Sequence, residues 1–279
     1  IVFFGWKAKN LTWPNKQKYA SAHGYDIYDI NSIPDLAARI QDQKSSMHNY
    51  FFYKYLSISD ALQGRFNNGK RYDYIIWNDP DALFLNHSRR YEDIIDERFD
   101  VTFTTGPPSH PQWGLIVNTG GFIVKNSDFS KGFLEDVLQM SRQHCGEFIL
   151  ENPSAGAALN GWLQVCNSDG GYWMGDQGIV QALFSFKLAE YKCHFKKTWF
   201  RAFSSEFPWY GEGDLAVHFP GRALKEKRRL IKALCKFTNF STGKISKKAL
   251  DLIKYETCLT SDLVTIERLY DSHNPTCPK

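Results

Sequence analysis

An apolar segment of the sequence runs directly into two carboxylates that stand two residues apart. Tyr74 to Trp77 is followed by Asn78, and Asp79 and Asp81 flank Pro80. In open α/β sheets ligands bind beyond the carboxyl ends of the strands, and two acids there repel each other unless a cation compensates. Oxygen ligands of this kind suit Mn²⁺ or Mg²⁺ on a diphosphate. Asp79 and Asp81 are therefore predicted metal ligands, the alternative being two solvated turn aspartates.

A histidine late in the chain could complete this site. His218 follows a short apolar run and stands just before a Pro-Gly pair. Neutral imidazole is a common metal ligand. Gly221 would let the backbone approach a phosphate, and Arg222 and Lys225 would supply positive charge beside it. The alternative is a hydrogen-bonded core histidine.

Polar residues interrupt apolar patterns at two further places. The run Asn118-Thr119-Gly120-Gly121 lies inside the apolar segment 114–124, which indicates a β-bulge or a close approach of a ligand. Asp176 and Gln177 follow Gly175 at the start of a predicted helix. Asp176 is well placed as a helix N-cap, and it could instead face a bound sugar together with Gln177.

The elements that must hold these residues alternate along the chain. Apolar runs predict strands at 1–5, 25–30, 72–77, 101–105, 114–124 and 216–219, and helical spacing predicts helices at 15–22, 47–62, 131–143, 175–186 and 222–236. This order predicts an α/β fold with a mostly parallel central sheet flanked by helices. We expect one domain with a helical extension at its C-terminal end.

Charge is distributed unevenly over the 279 residues, whose net charge is +4. Between Arg222 and Lys254 there are 11 Lys or Arg against two acids, a balance of +9, which leaves −5 for the rest of the chain. A protein that coats nucleic acid would not show this pattern, so we expect no nucleic-acid partner. A basic segment on an acidic body is typical of a local anion site, a membrane-facing patch or a solvated helix.

The six cysteines all lie in the second half of the chain and form no CxxC pair. An even number allows disulfides, which would indicate an oxidising compartment, and six free thiols in a reducing compartment are equally compatible. No apolar run reaches the roughly 18–20 residues of a membrane span. The oligomeric state is left open.

Taken together and in order, these motifs resemble glycosyltransferase family 34, the fungal α-galactosyltransferases and plant xyloglucan xylosyltransferases of the GT-A superfamily. The matching segments cover roughly residues 1–225 and are His23 to Ile27, Tyr53 to Leu56, Asp79 to Phe84, Asn118 to Phe122, Asp176-Gln177 and His218-Phe219. The resemblance implies a GT-A fold, a UDP-sugar donor carrying galactose or xylose, Mn²⁺ or Mg²⁺, a glycan acceptor on an oligosaccharide or glycoprotein, and transfer with retention of anomeric configuration.

The resemblance also implies a role for each matching residue. The metal would be held by Asp79, Asp81 and His218, and the diphosphate would contact Gly221, Arg222 and Lys225. The uridine would be received by Phe4, Gly5 and Asp26, and Lys54 would lie near the nucleotide-sugar. The donor sugar or the acceptor would be lined by Asn118, Thr119 and Gly120, with Asp176 and Gln177 beside the anomeric carbon. The catalytic domain would span residues 1–225, with residues 226–279 as a basic helical extension packed on it.

Compartment and membrane contact are expectations of the same kind. By analogy with the family, an enzyme whose N-terminal anchor was trimmed would work in the Golgi lumen. A strand that starts at Ile1 also fits a soluble cytoplasmic enzyme, for example a virus-encoded one. The basic segment 222–254 could contact a membrane from outside.

Two alternatives to a glycosyltransferase deserve separate tests. Haloacid-dehalogenase-like phosphatases also place Asp-x-Asp after a strand. They have a small β-branched residue where this chain has Leu83, and a second late acid that is missing after Asp176. The other alternative is a module that binds a nucleotide-sugar or glycan without turnover.

Overall fold

The computed structural model describes residues 2–5, 11–30, 33, 49–65, 69–106, 117–143, 145–147, 166, 172, 175–198, 201–207 and 209–247. Within these ranges no helix is both long and apolar enough to cross a lipid bilayer. The predicted helical tail beyond residue 247 lies outside the described residues.

A six-stranded sheet forms the centre of the fold. Its strands are β1 (Val2–Gly5), β2 (Asp26–Asp29), β3 (Tyr74–Asn78), β5 (Val101–Thr105), β6 (Val117–Lys125) and β7 (Phe195–Thr198). They lie in the order β2-β1-β3-β6-β5-β7. β1 pairs in parallel with β2 and β3, and β5 pairs in parallel with β7. β6 runs antiparallel to both of its neighbours, so the predicted mostly parallel sheet is confirmed with one reversed strand.

Helices cover the sheet. They are α1 (Trp13–His23), α2 (Tyr53–Leu62), α3 (Asp128–Met140), α4 (Asp176–Phe186), the short α5 (Leu188–Tyr191) and α6 (Leu224–Phe237), and a 3-10 turn (Asn49–Phe52) leads into α2. α2 is buried almost all round, which explains the dense aromatic and apolar run in its sequence. Its Tyr55 ring stacks on Phe122, which in turn stacks on Phe103, at centroid distances of 5.8 and 5.1 Å. These aromatic contacts join α2 to the centre of the sheet.

A second, three-stranded sheet brings the late histidine to the acidic motif. It consists of β4 (Ala82–Phe84), β9 (Ala216–His218) and β8 (Ser205–Glu206), in the order β4-β9-β8. β4 and β9 are antiparallel, and Ala82 lies opposite His218. Because Ala82 directly follows Asp81, this register sets the imidazole beside both carboxylates.

The polar interruption of β6 is a bulge in a continuous strand. Phe103 of β5 pairs with Phe122, but the next residue of β5, Thr104, pairs with Asn118. Residues 119–121 are therefore extra on the β5 side. On the β3 side Gly121 still pairs with Asn78, the residue before Asp79.

α6 packs on the body of the protein through one apolar face. Leu230, Ile231 and Leu234 are buried in a cluster that includes Leu83 and Phe219. Cys235, next to Leu234 in the sequence, is a free and exposed thiol. After α6 the chain forms a small hairpin of β10 (Thr238–Asn239) and β11 (Lys244–Ile245).

Candidate functional site

The three predicted metal ligands meet at the carboxyl end of β3. The Nε2 atom of His218 lies 3.5 Å from Oδ2 of Asp79 and 3.3 Å from Oδ1 of Asp81. One ligand atom from each residue lies within 4.8 Å of the others. Among the described residues, no other group of three His, Cys, Asp or Glu side chains is gathered in this way.

Each carboxylate has one oxygen held by the protein and the other directed to the imidazole. The indole N–H of Trp77 donates to Oδ1 of Asp79 at 2.6 Å, and the ammonium of Lys227 donates to Oδ2 of Asp81 at 2.5 Å. The oxygens that face His218 are Oδ2 of Asp79 and Oδ1 of Asp81. Partners of this kind orient metal ligands and tune their basicity. Neither Trp77 nor Lys227 is among the residues predicted from the sequence to form the site.

Helix α1 holds the loop that carries the two acids. The buried ammonium of Lys16 donates to the carbonyl oxygens of Asn78 and Asp79 at 3.1 and 2.6 Å. The side chain of Asn15 pairs with both the N–H and the C=O of Phe84, which follows the loop. Thr12 donates to the carbonyl of Pro80. The backbone of the acidic loop is thus fixed on both sides of the carboxylates.

Lys16 is likewise absent from the residues predicted from the sequence. Its spacing gave a signal, because Lys16, Tyr19 and Ala20 share the buried face of α1 at positions i, i+3 and i+4. A lysine on that face needs acceptors, and here the loop carbonyls supply them. Burial lowers the pKa of Lys16 to about 8, although the charges of Asp79 and Asp81 oppose the shift.

The bulge glycine makes room for the histidine ring. A Cβ atom at Gly120 would lie 2.2 Å from Cε1 and 2.6 Å from Nδ1 of His218. The carbonyl of Gly120 also accepts the N–H of Asp79 at 2.8 Å. One glycine therefore contacts two of the three predicted ligands, which explains why a glycine stands at this position of an otherwise apolar strand.

The electrostatics of the cluster fit a cation. Burial works against charge on the Asp81 carboxyl, but the nearby His218 and Lys227 outweigh it and lower the pKa of Asp81. Burial would likewise lower the pKa of His218, yet the two carboxylates raise it to about 10. Without a metal, the imidazolium itself neutralises the acidic pair. Two carboxylates and one imidazole are a donor set that suits Mn²⁺ or Mg²⁺.

A buried ion pair connects this cluster to the start of α4. The ammonium of Lys54 lies 2.9 Å from Oδ2 of Asp176 and 3.8 Å from Oδ1 of Asp79, and it donates to the carbonyl of Thr119 at 3.0 Å. The hydroxyl of Tyr55 donates to the same oxygen of Asp176 at 2.9 Å. Burial would lower the pKa of Lys54, but Asp176 and Asp79 outweigh it and raise it.

The predicted sugar-side residues gather around the bulge. The N–H of Thr119 donates to Oε1 of Gln177 at 3.5 Å, and the N–H of Gly120 donates to Oδ1 of Asn118 at 2.8 Å. Gly175 before α4 has a φ of +61°, and a Cβ there would lie 3.0 Å from the ring of Phe51. A glycine at this turn lets α4 begin with Asp176 beside Lys54.

The register of the sheet sets Asp26, a predicted uridine residue, at the end of β2 away from Asp79. Asp26 begins β2, opposite Val2, and Val2 also pairs with Ile75 of β3. Asp26 therefore lies about four residues, or about 13 Å along a strand, before the level of Asp79. Its carboxylate accepts hydrogen bonds from Lys70 and Tyr72 at 2.5 and 2.8 Å.

The acid at the carboxyl end of β2 is Asp29. It is buried and lies opposite Gly5, at the carboxyl ends of β1 and β2. The backbone of the predicted Phe4 and Gly5 reaches this same edge of the sheet. In a parallel sheet the last residue of a strand, and not its first, faces the edge where ligands bind, so Asp29 is a second candidate for the uridine beside the predicted Asp26.

The predicted diphosphate residues have different surroundings. Arg222 pairs with Glu226 and lies over the ring of Phe207, with 4.3 Å between its Cζ and the ring centroid. Lys225 is exposed, and Gly221 has a φ of +67° with open space around it. The cation of this region that contacts the acidic pair is Lys227, one helical turn into α6.

Comparison with known proteins supports the fold. No protein-family model and no curated protein sequence matches the chain. Among solved structures, a glycosyltransferase involved in glycosylation of the major capsid of PBCV-1 is similar with a TM-score of 0.56 and 14% identity, over 83% of this chain and 98% of that chain. The galactosyltransferase LgtC gives a TM-score of 0.47 and 10% identity, over 90% and 99%. Mouse xyloside xylosyltransferase 1 gives 0.40 and 9%, over 79% and 97%.

The similarity to the capsid glycosyltransferase defines the fold class. The chain has the GT-A fold, as expected, with a largely parallel sheet flanked by helices. The haloacid-dehalogenase alternative required a different fold and loses its support. Identity at this level shows the fold alone, so activity is inferred from the site.

Proposed function

We propose that the protein is a metal-dependent glycosyltransferase that moves a hexose or pentose, galactose or xylose in the first instance, from a UDP-sugar to a glycan acceptor. The observation that carries the proposal is the meeting of Asp79, Asp81 and His218 within 4.8 Å at the ligand-binding edge of a GT-A sheet. The resemblance to family 34 supports the choice of donor and of an oligosaccharide or glycoprotein acceptor.

Some residues of the cluster would hold the metal ion of the donor complex, and others orient those ligands. Asp79, Asp81 and His218 would hold Mn²⁺ or Mg²⁺, and Trp77 and Lys227 keep the two carboxylates turned toward His218. When bound, the ion supplies positive charge that stabilises the leaving diphosphate. The backbone at Gly221, which has open space around it, leaves room for that diphosphate.

The environment of Asp176 supports a mechanism in which the acceptor attacks the anomeric carbon from the same face that the diphosphate leaves. Its side chain is buried, and the same carboxylate oxygen accepts hydrogen bonds from Lys54 and Tyr55. A carboxylate held in this way is a poor nucleophile, because it would have to leave a buried ion pair to reach a sugar. In same-face transfer the acceptor oxygen bonds to the anomeric carbon as the bond to the diphosphate breaks, and a diphosphate oxygen takes the acceptor proton. Gln177, at the edge of the bulge, would orient the sugar.

An oxidising compartment such as the Golgi lumen is part of the proposal. Its support is the disulfide between Cys145 and Cys166, and Cys193 is also disulfide-bonded, with a partner outside the described residues. Such bonds persist in oxidising compartments and are rare in the cytosol.

The test is a panel of UDP-sugars assayed for Mn²⁺-dependent hydrolysis and transfer. Asp79→Ala and Asp81→Ala should each reduce turnover more than about a thousandfold, with circular dichroism unchanged. The matched control is Glu135→Ala, which removes an exposed carboxylate of α3 and should retain activity. Full activity in either aspartate variant would refute the metal site. Metal-dependent UDP binding without any turnover would favour the non-catalytic binding module.

A further inference from the structure

The sequence contains three Asn-x-Ser/Thr sequons, which begin at Asn10, Asn86 and Asn239. This tripeptide is the acceptor signal for N-linked glycans on the surface loops of secreted proteins. Asn10 lies outside the described residues, and the other two asparagines have opposite surroundings. The structure therefore separates a sequon that can carry a glycan from one that cannot.

Asn239 lies at the end of β10, where the hairpin after α6 turns back. Its side chain is exposed, as are those of the neighbouring Ser241 and Thr242. Oδ1 of Asn239 accepts the N–H of Ser241 at 3.0 Å, which is an Asx turn. Within the described part of the chain no hydrogen bond holds its Nδ2 atom, and this is the atom to which a glycan is attached.

Asn86 is enclosed by the same hairpin. Only 6% of Asn86 is exposed, and a Cβ atom at Gly243 in the hairpin turn would lie 2.8 Å from its Cβ and 3.0 Å from its Nδ2. Its Oδ1 accepts the N–H and the hydroxyl of Ser88 at 3.0 and 2.7 Å. The N–H of His87 donates to the carbonyl of Phe240 at 2.6 Å and so joins the hairpin to this segment. A glycan on Asn86 would prevent the hairpin from docking.

We propose that Asn239 is a site of N-linked glycosylation and that Asn86 is not. The proposal rests on the oxidising compartment proposed above, because such glycans are attached to proteins of the secretory route. In the transfer, Nδ2 of Asn239 bonds to the anomeric carbon of an oligosaccharide that is carried on a lipid diphosphate. The bond from that carbon to the diphosphate oxygen breaks, and Nδ2 loses one proton.

The glycan would lie away from the proposed metal site. Lys227, near the start of α6, contacts Asp81, whereas Asn239 follows the end of the same helix. The length of helix between Lys227 and Phe237 is about 15 Å. A glycan at Asn239 therefore covers the hairpin and leaves the acidic pair accessible, so we expect its loss to leave turnover unchanged.

The experiment is site-resolved mass spectrometry of the full chain secreted from a eukaryotic host. Release of the glycans by peptide:N-glycosidase in heavy-oxygen water converts each glycosylated asparagine to an aspartate that carries the heavy isotope. We expect this label at Asn239 and none at Asn86. In Ser241→Ala the sequon loses its hydroxyl, and the label at residue 239 should disappear. The matched control is Thr242→Ala, which removes the neighbouring exposed hydroxyl outside the sequon and should keep the label.

Three results would overturn the proposal. They are the absence of label at Asn239 in the folded secreted protein, a label at Asn86, and an equal loss of label in Ser241→Ala and Thr242→Ala. The label is measured without donor or acceptor. An unlabelled chain that still turns over a UDP-sugar would therefore refute only the glycan, and a labelled chain without turnover would refute only the proposed activity.

Discussion

At the scale of single residues, the site depends on contacts that hold one oxygen of each carboxylate. Lys227 holds Asp81 from α6, and Trp77 holds Asp79 from within β3. Both side chains leave the remaining oxygen directed to His218. They are positioning residues, because they act on the predicted ligands and not on a substrate.

Replacing Lys227 should weaken metal binding more than it weakens the fold. In Lys227→Met the Asp81 carboxylate loses its orientation, and we expect Mn²⁺ affinity to fall about 10- to 100-fold. Lys227→Arg should restore part of it. Calorimetric titration of the donor-free protein with Mn²⁺ measures the change. The control is Lys232→Met, on the exposed side of the same helix, and an equal loss there would contradict the assignment.

Gly120 offers a test of the histidine as a ligand. In Gly120→Ala the new methyl group would meet the His218 ring at 2.2 Å, so the ring must move and metal-dependent UDP binding should fall at least about tenfold. Gly132→Ala is the control, because nothing lies within 4 Å of a Cβ there and the residue lies within α3. That control should raise the free energy of unfolding by about 0.5–1 kcal/mol. Unchanged UDP binding in Gly120→Ala would remove His218 from the site.

At the scale of elements, α1 holds the acidic loop, and it also contacts His87, which follows β4. His87 Nε2 is 3.2 Å from Nδ2 of Asn15, and its ring packs near Phe240 of the following hairpin at 5.2 Å. Burial, assisted by the charges of Lys18 and His23, lowers the pKa of His87 to about 4. The His87 imidazole of the folded protein therefore stays neutral at pH values where the same side chain of the unfolded protein, with a pKa near 6.5, is protonated.

The stability of this contact should depend on pH in a defined direction. As pH falls from about 6.5 to 4, the unfolded state binds a proton that the folded state does not, so the free energy of unfolding decreases. His87→Gln removes that group and should flatten this part of the profile. Urea titrations of both proteins across the interval measure the difference. Parallel profiles would show that His87 does not contribute.

Sequence patterns predicted most elements, and the three side chains that the structure gathers at the end of β3, because the relevant signals were local. Apolar runs and Gly-Asp punctuation located β3, β6 and α4 to within a few residues. Asp26 stays a prediction and lies at the end of β2 away from Asp79, because a strand pattern does not show which end of the strand meets the ligand edge. Lys227 could not be predicted because its contact with Asp81 depends on how α6 packs against the acidic loop. Trp77 could not be predicted because its position in an apolar strand is typical of an ordinary core residue.

At the scale of the whole molecule, a disulfide bond stabilises the fold in addition to the packing of its core. The disulfide between Cys145 and Cys166 joins residues 21 apart, beside the main core. Replacing both cysteines by alanine should lower the free energy of unfolding by about 3 kcal/mol, chiefly through greater freedom of the unfolded chain. Chemical denaturation under oxidising conditions measures this. Cys235→Ser, at an exposed free thiol, should leave stability unchanged, and an equal loss there would contradict the expectation.

The pairing of β4 with β9 has a consequence for biosynthesis. Asp79 and Asp81 leave the ribosome long before His218 and Lys227, so a growing polypeptide exposes an acidic loop that has neither its imidazole nor its lysine counter-charge. The cluster of Asp79, Asp81, His218 and Lys227 can form only after α6 has been translated and has docked. Until then the three side chains of the proposed metal site are not gathered, so the proposed activity requires the folding of the last described helix.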